Sequence, residues 1–406
     1  MPDATPVAPA ATRAAALPRM PWALLAAACL AMFAASSSGT ARAPFLLDMA
    51  QDLSASVALV ANLMASTSIA WGISSLVVGA WSDRLGRRPF LVGGPIGLAA
   101  CMLGVALSEG FWGVALWATV AGAFCGGFTG VVMAEASART VDRQRGRALG
   151  WVMAGQSLTL LVGVPMAAFL GAYIGWRGVN VAIGGLALAA ALALLVTTLR
   201  PAPGEERHGG GKRRGGGGGG TLSALTGPVI RLLAMGVAER ICYGLAAVYF
   251  ATFLQTTYGL SLAGVALPLA VFALGNIAGT VIGGQAADRL PDRLRTFAAA
   301  MLASAGAALA LFLWTPGLKG TVALGFLYVF LNAIARPSLM AALANVPDEV
   351  RGTVLGLNVS SASIGWLGAA ALGGWVMAAF GFGAFGPLAA GMAVAGAGLA
   401  LTAPRR

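Results

Sequence analysis

Charge is scarce in this sequence. Asp, Glu, Lys and Arg together make up 10% of its 406 residues, against about 25% in soluble domains. That scarcity excludes an ordinary water-facing fold, because most of the surface must meet lipid or other helices. Histidine occurs once, as His208, in a polar stretch. A histidine relay inside the apolar part is therefore excluded. The four cysteines, Cys29, Cys101, Cys125 and Cys242, lie in apolar runs without metal-ligand spacing. They read as small packing residues rather than a disulfide framework. The sequence has no Walker-type phosphate loop and no Ser-His-Asp set. An enzyme is not expected, and neither is a cofactor or a metal.

What the chain does have is length of apolar sequence. It is 58% hydrophobic, and a spanning helix needs about 20 apolar residues. Twelve runs qualify. The first, from Pro21 into Ser36-Ser37-Ser38, has the shape of a signal peptide. The many spans after it favour a retained helix. The net charge of +12 could suggest nucleic acid, but its placement argues for lipid instead. Most of the basic residues fall on one side of the runs, in the N-terminus, the loops around Arg84, Arg143, Lys212, Arg289 and Arg351, and the tail. That is the positive-inside pattern, and it puts both termini in the cytoplasm. A multi-pass protein of the cell inner membrane follows, with the bilayer as its partner and no nucleic acid.

The domain reading is a tail over 1–19, a six-helix bundle over 20–200, a linker over 201–227, a second bundle over 228–403 and a short tail over 404–406. The linker holds glycine runs around Lys212-Arg213-Arg214 and reads as a flexible tether. The halves repeat. Gly79-Ala80-Trp81-Ser82-Asp83-Arg84-Leu85-Gly86-Arg87-Arg88 returns as Gly284-Gln285-Ala286-Ala287-Asp288-Arg289-Leu290-Pro291-Asp292-Arg293. Asp142-x-x-Arg145-Gly146-x-x-Leu149-Gly150 returns as Asp348-x-x-Arg351-Gly352-x-x-Leu355-Gly356 at nearly the same offset. Gly171-x-x-x-Gly175-Trp176 is echoed by Met377-x-x-x-Gly381-Phe382. One match could be chance; three in near register point to two related halves.

Gly79-x-x-x-Asp83-Arg84-x-Gly86-Arg87-Arg88 resembles the signature of the major facilitator superfamily between its second and third helices. The degenerate second copy, the central linker and the twelve runs extend the resemblance over nearly the whole chain. It implies an all-α membrane protein with twelve transmembrane helices in two pseudo-symmetric six-helix bundles. Gly163-Val164-Pro165 in the fifth run, followed by Gly175-Trp176-Arg177, resembles the small-solute efflux branch, similar to arabinose-efflux permeases and drug:proton antiporters. The arginine usual in the fourth helix of such antiporters is absent, its place falling near Ala118. The resemblance implies that Asp83 faces the start of the eleventh run near Gly352. It also implies that Arg84 and Arg87 pair with Glu135, and that Asp288 mirrors Asp83 near Gly146. Gly284, Arg289 and Arg293 complete the second copy of this gate. Arginines alone would satisfy the topology rule, so the two aspartates favour a gate.

Glu239 and Arg240 are the most unusual residues, because they lie inside an apolar run. Arg231 marks its edge, and eight residues put Glu239 about 12 Å inward. An ionisable residue there is costly unless paired or wet, and by default marks function. Desolvation favours the neutral form of a lone carboxyl, which suits a proton carrier. Adjacent helix positions point about 100° apart, so Glu239 and Arg240 are not expected to pair. Tyr243 shares the Glu239 face one turn on. The alternative is a structural charge pair holding this run to a neighbour. Arg336 reads as a helix-end residue. Arg42, just before Pro44, reads as snorkelling to the outer interface. Gln156, Asn62 and Asn276 are polar groups at membrane depth, suited to interhelical bonds or to a cavity.

The expectation is a monomeric secondary transporter that exports a small organic solute in exchange for protons. Uptake by symport or facilitated diffusion is the alternative within that class. A non-transporting sensor or scaffold is the alternative outside it.

Overall fold

The computed structural model describes residues 20–141, 144–199, 226–290, 292–345 and 348–402. The side chains of residues 76, 80, 83, 344, 348–353, 355, 356 and 359 lie outside that description, as do both termini and the expected linker. The first half comprises α1 (Trp22–Thr40), the short α2 (Leu46–Asp52), α3 (Val57–Leu85), α4 (Arg88–Leu107), α5 (Phe111–Ala138), α6 (Arg145–Leu158) and α7 (Val164–Thr197). The second comprises α8 (Gly227–Tyr258), α9 (Ala266–Arg289), α10 (Arg293–Leu309), α11 (Leu318–Ala344), α12 (Asp348–Phe380) and α13 (Phe385–Leu401). Helix α8 opens on Gly227 with Pro228 in its first turn, where proline's missing N–H costs nothing.

Among the described residues, eleven helices are long and apolar enough to cross a membrane. One of them, Arg145–Thr197, is 53 residues long. At 1.5 Å per residue it would run about 80 Å, far beyond the roughly 30 Å hydrocarbon core. It breaks at Gly175, whose φ of 67° and ψ of 171° are not helical. Two spans meet there, and the expected twelve crossings are restored. Pro165 leaves a second mark on the same run. It cannot bond back to the preceding turn, and the chain widens into a π-turn at Thr159–Gly163.

Large apolar side chains face outward along these helices. Trp112 is 78% exposed, Leu267 74% and Leu107 72%. In water such a surface would aggregate; in a bilayer it is the lipid contact.

Inside each half, helix pairs approach closely on glycine. A Cβ on Gly122 or Gly126 of α5 would come within 2.2 Å of Thr67 O or 2.1 Å of Trp71 O on α3. In the second half the equivalent pair is α9 and α11, and here the glycines sit on α9. Gly275, Gly279 and Gly283 face the carbonyls of Phe326, Phe330 and Ile334. The halves meet where α3 packs on α12. Gly72 lies against Ser363 and Gly374 against Ala58, so the two helices run antiparallel. Away from the motif loops, Gln255 Nε2 donates to Pro44 O at 3.4 Å.

Candidate functional site

Three polar clusters stand out in this apolar frame. The first lies at the motif loops. Gly86, at φ 83° and ψ 157°, ends α3 in a conformation that favours glycine. This turns the chain so that Arg87 precedes α4 and Arg88 begins it. Glu135, 3% exposed near the end of α5, accepts from Arg139 Nε at 2.6 Å and lies 3.4 Å from Arg87 Nη1. Arg87 thus meets the carboxylate, but Arg84 is exposed and makes no ion pair with Glu135 among the described residues. Arg139 occupies the other oxygen, because a position one helical turn away lies on the same face. Gly79 is within α3. The side chain of Asp83 and the start of α12 near Gly352 fall outside the described side chains.

The second motif copy is built differently. Gly284, Asp288 and Arg289 lie in the last turns of α9, with Asp288 and Arg289 exposed. No ion pair joins Asp288 to the start of α6 at Gly146 among the described residues. Arg293 donates from Nη1 to Ala341 O on α11 at 3.1 Å.

The second cluster lies at the opposite ends of the helices and was not foreseen. Trp176 Nε1 and Arg177 Nη1 both reach Asp52 Oδ2, each at 2.9 Å. The Gly175 break supplies the bend that lets consecutive residues share one carboxylate. The signal was present in Gly175-Trp176-Arg177, but nothing in the sequence named Asp52 as its partner.

The third cluster is in the interior of the second half. Glu239 is 1% exposed, and Arg336 of α11 binds its Oε1 through Nη2 at 2.9 Å and Nε at 3.2 Å. Arg240 Nε lies 3.5 Å from Oε2. This overturns the expectation that neighbours in sequence stay apart. The side chains are long enough to close the 100° between adjacent positions. It also corrects Arg336, which sits about two turns inside α11 rather than at its end. The guanidinium of Arg336 lies 5.0 Å from the centroid of the Tyr243 ring. Tyr243 in turn meets Trp366 of α12 edge to face at 5.7 Å. Gly365 lets α12 lie on this cluster, since a Cβ there would come within 2.3 Å of Arg240 Cβ.

A cavity adjoins this cluster at the junction of the halves. Thr40, Met64, Leu160 and Val164 line it from the first half, and Tyr243, Ala247, Leu269, Phe272, Ala273 and Trp366 from the second. Tyr243 is the one expected cavity residue that lines it. Gln156, Asn62, Asn276 and Arg42 do not. Gln156 is half-buried, and the side-chain oxygens of Asn62 and Asn276 are buried without a partner. Arg42 does not snorkel: it is 3% exposed. The chain after it is also buried, at Phe45, Leu46 and Met49. Its Nη1 donates to Thr67 Oγ1 at 3.0 Å, and that hydroxyl lies 3.2 Å from Ala118 O. A guanidinium from the end of α1 therefore sits beside the turn of α5 that holds Ala118.

The chain has relatives of known type. Aligned regions are 26% identical over 293 residues to a chloramphenicol resistance protein of Streptomyces lividans, covering 72% of this chain and 73% of that protein. They are 26% identical over 343 residues to a putative metabolite transport protein of Haemophilus influenzae, covering 80% and 82%. Among solved structures, a bacterial homologue of the human lysosomal transporter Spinster, inward-facing and unoccupied, superposes with a TM-score of 0.73. It is 18% identical over 94% of each chain, a likeness of fold. A sequence model described as Major Facilitator Superfamily matches residues 24–237 and 232–406. Two six-helix halves joined at a cavity, together with matches across both of them, establish that the chain is a multi-pass membrane transporter belonging to the Major Facilitator Superfamily.

Proposed function

We propose that the chain moves a small organic solute across the cell inner membrane by alternating access, coupled to protons through Glu239. The motif loops and both termini face the cytoplasm, in keeping with the positive-inside pattern. The observation that carries this reading is the Glu239–Arg336–Arg240 cluster, set at membrane depth beside the cavity where the halves meet. To take a proton, Glu239 must release a guanidinium, and the freed group must find another partner. A charge rearrangement of that kind can bias two packings of α8 against α11 and α12.

Export in exchange for protons is the first direction, supported by the relative that is a chloramphenicol resistance protein. Uptake with a proton is the second, and the double pairing of Glu239 favours it. A solute that draws one arginine away makes room for a proton in the same step.

The test is counterflow in proteoliposomes against a panel of sugars, drugs and amino acids, with the pH gradient applied in each sense. Accumulation driven by an acid exterior into right-side-out vesicles selects symport; the reverse selects exchange. Glu239→Gln should lose gradient-driven accumulation and keep passive exchange. Wild-type accumulation in that variant would remove Glu239 from coupling. No counterflow of any solute would leave the sensor or scaffold reading.

A further inference from the structure

We propose that a groove between α1 and α6 holds an acyl chain of an anionic phospholipid, with the lipid phosphate on Arg147. The proposal goes beyond the transport reading and does not rest on it.

Trp22, Ala26, Cys29 and Phe33 of α1 face Trp151 and Leu158 of α6 across a groove of about 460 Å³. The cavity at the junction of the halves holds only about 30 Å³, so the roomier space lies elsewhere. Gly155 brings the two helices together beneath the groove, since a Cβ there would come within 2.2 Å of Cys29 O. Every lining residue belongs to α1 or α6. Leu160 and Val164, just beyond Leu158, line the junction cavity instead. Two residues are about half a helical turn, so the groove opens on the opposite side of this run, away from the second half. Trp22, Trp151 and Leu158 are exposed there, as walls that meet lipid would be.

Length and charge select the occupant. Trp22 to Phe33 spans about 16 Å at 1.5 Å per residue, about half of the roughly 30 Å hydrocarbon core. That is the depth of one leaflet. Arg147 stands at the end of the groove, one turn before Trp151 on the same face. It is exposed, and its guanidinium lies 5.7 Å from the centroid of the Trp22 ring. Trp22 and Trp151 meet edge to face, also at 5.7 Å. Tryptophans with an arginine beside them mark the headgroup level of a bilayer. A guanidinium stacked on a ring keeps its N–H edge free, and that fork matches a phosphate. Among the described residues, no carboxylate pairs with Arg147. Helix α6 adds to the positive end, because it starts at Arg145 with no acid in its first turn and no side-chain cap. Its first N–H groups remain to be satisfied. A zwitterionic headgroup would bring an ammonium toward the same arginine. An anionic lipid meets only attraction.

The test titrates the purified full chain in detergent with dioleoylphosphatidylglycerol and with dioleoylphosphatidylcholine, which carry the same chains. Bound lipid is counted by native mass spectrometry. The phosphatidylglycerol is expected to fill one saturable site about fivefold more tightly, the worth of one arginine at an anionic surface. Arg147→Gln should remove that preference, and Arg147→Lys should keep most of it. Ala26→Trp, at an exposed position, fills the groove and should abolish the saturable site for both lipids. The lipid-free unfolding midpoint of each variant reports whether it has folded. A measurement on the groove itself does not depend on those variants: phosphatidylglycerol with brominated chains should quench tryptophan fluorescence, and less so in Trp22→Phe/Trp151→Phe. Equal affinity for the two lipids overturns the proposal, as does a site that survives in folded Ala26→Trp or a preference that survives in folded Arg147→Gln. Quenching unchanged by the double Phe variant overturns it too. So does a dimer that Ala26→Trp converts to monomer, because a second copy would then be what covers the groove.

Discussion

Arg293 donates to the main-chain carbonyl of Ala341 at 3.1 Å, at the place where Arg87 meets the carboxylate of Glu135 in the first half. Ala341 stands 206 residues after Glu135, and Arg293, aligned with Arg88 in the motif, takes the contact that Arg87 makes in the first half. The contact between the motif loop and the neighbouring helix has been kept, while its acid has been lost. The two copies should therefore differ in strength. Glu135→Ala leaves Arg87 and Arg139 without their shared counter-ion, at a cost of roughly 1–3 kcal/mol. Arg293→Gln gives up a single hydrogen bond worth about 1 kcal/mol. Thermal unfolding of the purified variants should show the larger fall for Glu135→Ala. Equal falls would mean that the acid adds nothing.

Asp83→Asn is expected to cut the initial rate of counterflow at least tenfold while expression and insertion persist. The support is the antiparallel register of α3 on α12, set by Ala58 with Gly374 and Gly72 with Ser363. Continued toward the motif loops, it leads the end of α3 to the start of α12. Asp288→Asn should slow transport less, since its copy of the motif has already lost partners. Normal turnover with asparagine at position 83 would refute a gating role.

Removing the acid from the interior cluster should be costly. Glu239→Ala leaves two guanidiniums facing each other, with an expected loss on the order of 3 kcal/mol. The double variant Glu239→Gln/Arg336→Gln should recover part of the loss seen in either single glutamine variant, because it removes charge in pairs. A double-mutant cycle on unfolding midpoints measures the coupling. Strict additivity would show that the pair contributes no interaction of its own.

Glycine on α5 gives a sharper contrast. A Cβ at Gly126 would meet the carbonyl of Trp71, which is backbone and cannot swing aside, whereas nothing lies within 4 Å of a Cβ at Gly130. Gly126→Ala should destabilise by about 1–3 kcal/mol. Gly130→Ala should be neutral or stabilising by up to about 1 kcal/mol. Similar unfolding midpoints for the two would contradict this packing.

The long apolar runs made the spans legible, and the repeated loops made the halves legible. Each rests on a pattern within one stretch of chain. Glu239 was legible for the same reason, as a carboxylate with no place in an apolar run. Its partner was not. Arg336 lies near enough to a helix end to pass for an interface residue, and only the packing of α11 on α8 brings it to Glu239. Arg42 reads as an interface residue in the sequence because Pro44 suggests that the span ends there. The chain instead turns through Ala43–Phe45 into α2, and the guanidinium stays buried on Thr67. Asp52 and Arg177 are far apart in sequence, and charge patterning alone could not join them.

The glycine contacts within the halves carry a lesson about interchange. In the first half the smooth face belongs to α5 and the ridged face to α3; in the second, the smooth face belongs to α9, the counterpart of α3. The halves look alike in outline, yet their mating surfaces are reversed. Were α5 exchanged for its counterpart α11, one interface would set bulk against bulk and the other glycine against glycine, with a clash in one half and a void in the other. Exchange of whole helix pairs would keep each smooth face with its ridged one. The interchangeable part of this architecture is thus the matched pair of helices, and a single helix cannot be moved without its mate.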